Sequence, residues 1–193
     1  MAPSYQRGWT LEGGAVNCYV PMRLYRGLVT PIATEITQSL LRSRDIESSL
    51  PNEVQLDIEA VLKEYLRQEK LVLDEAKDRL ERRKMPATEL GRMKSVVARE
   101  RNVPIGDEIL PYLVEQILEM LFHSQHVEEI YADDKVLRTK ITAVLRKHLD
   151  IEESLDREVR KRLKHLEEGT LAFEQEYARL MAEIKRVRRL NES

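Results

Sequence analysis

The chain has 193 residues, of which 34% are charged and 42% hydrophobic, and its 32 basic and 34 acidic groups leave a net charge of −2. That near-cancellation excludes the overall basic excess on which non-specific nucleic-acid binding depends. A single cysteine excludes an internal disulfide framework and any cysteine-rich zinc site, and no run approaches the ~18 apolar residues of a membrane span. Two Phe and one Trp leave the core to Leu, Ile and Val, while only seven Gly and seven Pro favour few, long helices. An all-α, cytoplasmic protein is expected.

Residues 1–21 differ from the rest: they hold the only Trp, the only Cys (Cys18) and a Gly-Gly pair, without helical period. A leader and an upstream start preceding a true start at Met22 are both consistent with this. Ile32, Ile36, Leu40 and Leu41 then mark an amphipathic helix over 28–44, with Pro31 in its first turn. A break at Ser48–Asn52 precedes a second helix presenting Val54, Ile58, Val61, Leu62, Tyr65 and Leu66. A third, Leu71–Arg83, turns Leu73, Ala76 and Leu80 inward and stops before Pro86. Leu90, Met93, Val96 and Val97 form a shorter fourth.

The pattern restarts at Asp107, placed to cap a helix carrying Ile109, Leu113, Ile117, Leu121 and Phe122. Asp133 or Asp134 opens the next, with Leu137, Ile141, Val144, Leu145 and Leu149. Another follows Asp150 with Leu155, Val159, Leu163 and Leu166, and the last carries Phe173, Tyr177, Leu180, Ile184 and Val187. No stretch alternates as a strand would. The second block echoes the first: Asp57–Leu80 and Lys140–Leu163 share Ala-Val-Leu, a following Leu, then acidic residues and Arg-Leu, at an offset of 83. Ile36/Ile117 and Leu40/Leu121 keep 81, and Pro31/Pro111 and Glu35/Glu115 keep 80. The expected architecture is two tandem helical-bundle units, 22–103 and 104–193, packed together or hinged around Arg101–Gly106, behind a leader of residues 1–21.

Met22-Arg23-Leu24, the Ile-rich helix, the second helix with its acidic cluster, and Glu168-Gly169-Thr170…Phe173…Tyr177 resemble a bacterial family, domain of unknown function 507, from about Met22 to Leu190. The resemblance implies a start at Met22 and a tandem form; it implies no activity, cofactor or catalytic residue.

Glu119, His123 and His126 stand at i, i+4 and i+7, the spacing by which one helix face could hold a metal. A helix ending near His123 would instead leave that imidazole beside the C-terminal dipole. Asp133-Asp134 is read as a helix start before a magnesium site. Glu75→Arg79, Asp78→Arg82, Glu153→Arg157, Asp156→Arg160 and Glu158→Arg162 are i, i+4 pairs of a solvated face. Lys185, Arg186, Arg188 and Arg189 form a basic helix end that suits either the dipole or an anionic partner.

Leu163, Leu166, Thr170, Phe173, Tyr177, Leu180, Ile184 and Val187 follow a 3-4 spacing, a seam for a coiled coil in cis or between chains. An unbroken helix from Glu152 to Leu190 would be a rod of almost ~60 Å at ~1.5 Å per residue. With no phosphate loop or hydrolase motif, the expected function is protein binding by an adaptor or assembly factor, with no cofactor, through apolar grooves between the units or through Phe173, Tyr177, Leu180, Ile184 and Val187. Nucleic-acid association through the basic helix end, or metal chemistry at Glu119 and His123, are the alternatives.

Overall fold

The computed structural model describes residues 24–166 and 170–191. The leader with Cys18, the start at Met22 and Gly169 lie outside the described residues, as do the side chains of Lys185, Val187, Arg188 and Arg189. Eight elements follow in order: α1 (Val29–Arg42), β1 (Ile46–Glu47), α2 (Pro51–Arg82), α3 (Leu90–Glu100), α4 (Ile109–His123), β2 (Glu129–Ile130), α5 (Asp134–Arg162) and α6 (Leu171–Asn191). Single 3₁₀ turns, Arg26–Leu28, Ala87–Glu89 and Gly106–Glu108, lead into α1, α3 and α4.

The fold is all-α, and the apolar stripes explain its helices. α1 buries Ile32, Ala33, Ile36 and Leu40, and α4 buries Leu110, Leu113, Val114, Ile117, Leu118 and Leu121. Two boundaries differ from the sequence expectation, and one left open is decided. The second and third helices are one helix, α2, because Gln68-Glu69-Lys70 contains only good helix formers and nothing to break the chain. The helix after Asp150 likewise continues the preceding one as α5. The chain then leaves helix at Leu163 and re-enters it at Leu171, so there is no rod from Glu152 to Leu190. Two smaller differences are Phe122 and Val96, both expected inward and both exposed.

The described residues do hold a sheet, of two strands. β1 and β2 pair antiparallel, Ile46 opposite Ile130 and Glu47 opposite Glu129. Two residues per strand are too few to show a period of two in sequence. This ribbon joins the two blocks, and the helices around it exchange partners: α1 packs on α5 as well as on α2, and α4 on α2 as well as on α5. Contacts at Asp57–Ser124 and Tyr65–Tyr112 show that α2 and α4 run in opposite senses.

The element order therefore occurs twice. Helix starts Val29 and Ile109 are 80 residues apart, β1 and β2 start 83 apart, Pro51 and Asp134 are 83 apart, and Leu90 and Leu171 are 81 apart. One buried apolar cluster draws on both blocks, from Leu24 to Leu149. The connector between them is held rather than hinged: Val103 is buried, and Tyr65 Oη donates to the Pro104 carbonyl at 3.1 Å. A second, smaller cluster lies beyond, where Leu155, Val159 and Leu163 meet Phe173, Met181 and Ile184.

Three helices end in the left-handed conformation without glycine. Arg44, Lys84 and Asn102 have φ of 56, 52 and 55°. Each is followed by a backbone bond to the helix's last turn, Asp45 N–H to Leu40, Met85 N–H to Leu80 and Val103 N–H to Ala98, the Schellman arrangement that satisfies otherwise orphaned carbonyls.

Candidate interaction surfaces

Where a strand leaves its helix, the turn is tied to the long helix of the opposite block. After α1, Asp45 is almost buried, accepting from Ser43 Oγ at 2.5 Å and from Lys140 Nζ of α5 at 2.5 Å. Burial pushes its carboxyl pKa up, but the hydrogen bonds from Lys140 and Ser43 outweigh this and hold it below the ordinary value. After α4, the His126 ring stands 2.9 Å from Asp57 of α2, and Ser124 Oγ donates to the same Asp57 oxygen at 2.6 Å. Ser43 and Ser124 are both helix C-caps, so the two corners correspond with acid and base exchanged. Ser124, His126 and Asp57 do not form a nucleophilic relay: serine and imidazole both bind the carboxylate, whereas a relay needs the serine on the other ring nitrogen.

A third tie joins α1 to α5. Glu35 accepts from Lys147 Nζ and His148 Nε2, each at 2.8 Å, and the hydrogen bond from Lys147 leads in lowering its pKa against the opposing effect of burial. α2 and α3 are linked by Lys94–Glu69 at 2.8 Å, Arg101–Glu75 at 2.5 Å and Arg79–Glu100 at 2.6 Å. Of the expected i, i+4 pairs, Glu75–Arg79 and Glu158–Arg162 form, and Asp78 and Arg82 do not pair; the side chains of Glu153 and Asp156 lie outside the described residues.

A groove of about 740 Å³ opens where the blocks join, between the end of α3, the connector and the start of α4. Its apolar lining is Ala98, Val103, Pro104, Ile105 and the ring of Tyr112, which packs 6.1 Å from Tyr65. Arg99, Asn102, Asp107 and Glu108 also line it. A groove of this volume falls within the ~300–1,000 Å³ typical of ligand pockets. The Schellman turn at Asn102 and the Tyr65–Pro104 bond fix its floor before anything enters.

Glu119, His123 and His126, the alternative metal candidates, are not brought together. His123 Nδ1 lies 2.7 Å from the backbone carbonyl of Glu119, while the Glu119 carboxylate accepts from Gln116. α4 ends at His123, and the extended backbone at Ser124 carries His126 away to Asp57. Asp133 occupies the N-cap of α5 but makes no capping hydrogen bond, and Asp134 pairs with Arg138 at 2.6 Å. Asp107 lies in the 3₁₀ turn ahead of α4, whose N-cap is Glu108.

The expected partner-binding face of α6 folds onto its own chain: Phe173 and Ile184 are buried against α5, and Tyr177 and Leu180 are half-buried there. Arg160 lies 6.0 Å over the Tyr177 ring, whose hydroxyl is 3.2 Å from that of Tyr25. Of the four basic residues near the C-terminus, Arg186 is exposed, and the other three have side chains outside the described residues. Sequence reasoning missed both corners, although Ser43 and Ser124 keep the repeat offset of 81.

The model of the family described as Protein of unknown function (DUF507) matches residues 22–190, and the chain belongs to that family. No curated protein matches the chain.

Proposed function

We propose that this family member is a helical adaptor or assembly factor of the cytoplasm that holds another protein and carries no catalytic machinery of its own. The observation that supports this reading is the groove of about 740 Å³ at the junction of the two blocks, lined by both apolar and charged residues. Its walls come from α3, the connector and α4, so it depends on both blocks being docked. The polar groups nearest to chemistry, His126, Asp57, Glu35 and His148, are engaged in holding helices to one another. No helix among the described residues is long and apolar enough to cross a membrane.

The C-terminal helix is a second candidate holding surface, through Tyr177 and Leu180, while Phe173 and Ile184 seat it on α5. Affinity purification of the full chain from its native host tests the reading. Ile105→Arg in the groove, at a residue packed against the core, is expected to remove a co-purifying protein from a chain that still folds, with a lowered thermal melt. A partner set identical to that of the wild type for both Ile105→Arg and a chain lacking α6 would contradict it. Steeply salt-dependent binding to RNA or heparin would instead support anion recognition by Lys185, Arg186, Arg188 and Arg189.

A further inference from the structure

The groove where the blocks join differs from its neighbours in the state of its charges. Between α2 and α3, a second groove holds Arg79, Arg101 and Glu75, which already pair with one another, and Glu100 completes that network. In a third, beside the ribbon, Glu47 accepts from the Tyr131 hydroxyl. At the connector, Arg99 in the last turn of α3 and Glu108 at the N-cap of α4 line one groove, and both are exposed. Among the described residues neither has an ion-pair partner, so the groove keeps a free charge of each sign.

The chain between these two residues is apolar and held in shape. Val103 is buried, and Ile105 is half-buried in an extended conformation, φ −134° and ψ 158°. The Pro104 carbonyl turns inward to the Tyr65 hydroxyl of α2. Across a trans peptide bond the next N–H points the opposite way, so the Ile105 N–H is directed away from α2. No backbone group among the described residues accepts it. The half-buried ring of Tyr112 lines the same groove, and its hydroxyl has no partner among the described residues.

We propose that this groove holds an extended peptide segment of a partner protein, with an acidic side chain against Arg99, a basic one against Glu108, and an apolar residue between them over Val103, Ile105 and Tyr112. An extended main chain can accept the Ile105 N–H as an added strand does, while side chains supply specificity. Tyr112 gives an apolar face with a polar tip, the kind of residue that protein interfaces favour. The two opposite charges select a segment that carries both signs and set its direction. Asp107 and Glu108 together disfavour a polyanion. The inference rests on the adaptor reading and specifies the chemistry of what is held.

Photocrosslinking of the full chain in its native host tests it, with p-benzoylphenylalanine at Ser95, an exposed residue of the groove. Exposed Lys70 on α2 and Ala182 on α6 are the comparison positions. The expected result is one partner segment, captured from Ser95 and not from Lys70, in which peptide sequencing finds an acidic and a basic residue flanking an apolar one. Arg99→Glu should lower its yield at least about fivefold, and changing the partner's acidic residue to Lys should restore it, which separates a lost contact from a lost fold. Glu108→Gln should lower the yield about threefold. A segment lacking either charge, a yield indifferent to Arg99→Glu, a loss without rescue, or capture of RNA, of residues 1–23 of the same chain or of a second copy would overturn the proposal. A protein captured from Ala182 and not from Ser95 would remove this site and leave the adaptor reading standing; no protein product from either would remove both.

Discussion

The two corners where the blocks grip each other solve one mechanical problem with acid and base exchanged. After α1 the turn supplies the anion, Asp45, and the long helix of the other block supplies the cation, Lys140; after α4 the turn supplies an imidazole, His126, and the helix an anion, Asp57. A helix-capping serine braces the carboxylate in both. The Asp45 side chain is 10% exposed and Asp57 29%, so the first carboxylate has less water to fall back on when its partner is removed. What is preserved is the tie between turn and opposing helix; which side bears which charge is free to change.

That contrast predicts unequal penalties. Lys140→Ala should cost about 2 kcal/mol in denaturant unfolding, because it leaves a nearly buried carboxylate with a serine as its remaining partner. The most discriminating variant transplants one corner onto the other. Asp57→Lys and His126→Asp should each destabilise by more than about 1 kcal/mol, and the double variant should recover at least about 1 kcal/mol as a coupling energy. Independent, additive losses would mean that the corners are not equivalent. His126→Ala alone should cost about 1 kcal/mol, since both partners of that pair keep partial access to water.

Acid should erode the Asp45 corner. The folded Asp45 carboxyl titrates below its ordinary 3.8, so its contribution is complete above pH 3.8 and is lost as pH falls through the lowered folded value. The stability gap between wild type and Asp45→Asn should therefore be constant from pH 7 to about 5 and narrow progressively below pH 3.8. The smallest expected effect is at the backbone. Arg44 has φ of 56°, whereas its counterpart Gln125 has no positive φ. Arg44→Gly should gain about 0.5 kcal/mol, and Gln125→Gly should lose a similar amount.

Much of the fold was legible because burial at helical spacing leaves a mark in sequence. Ile32, Ile36 and Leu40, or Leu137, Ile141 and Leu145, could be read inward without knowing what they touch, and all six are buried. The repeat offsets near 80 and 83 reappear as the starts of helices and strands. Helix fusion at Gln68–Lys70 and after Asp150 was not legible, because a lapse in the apolar stripe resembles a boundary when no Pro or Gly marks one. The ribbon was hidden by its two-residue length. Both corners were hidden because their partners lie 95 and 69 residues apart, and the exchange of charge erases the identity match that would have aligned Asp45 with His126. His123 and His126 drew notice as a metal pair for a related reason: spacing alone does not show that α4 ends between them.

The central claim is that the blocks form one interlocked core, with the weaker seam lying beyond it where the second cluster begins. Native-state hydrogen exchange under increasing denaturant measures this directly. The slowest amides of α1, α2, α4 and the first half of α5 should open together with the free energy of global unfolding, and α6 with the end of α5 should open earlier. Two transitions dividing at residues 103 and 104, with each block opening at its own free energy, would contradict the account.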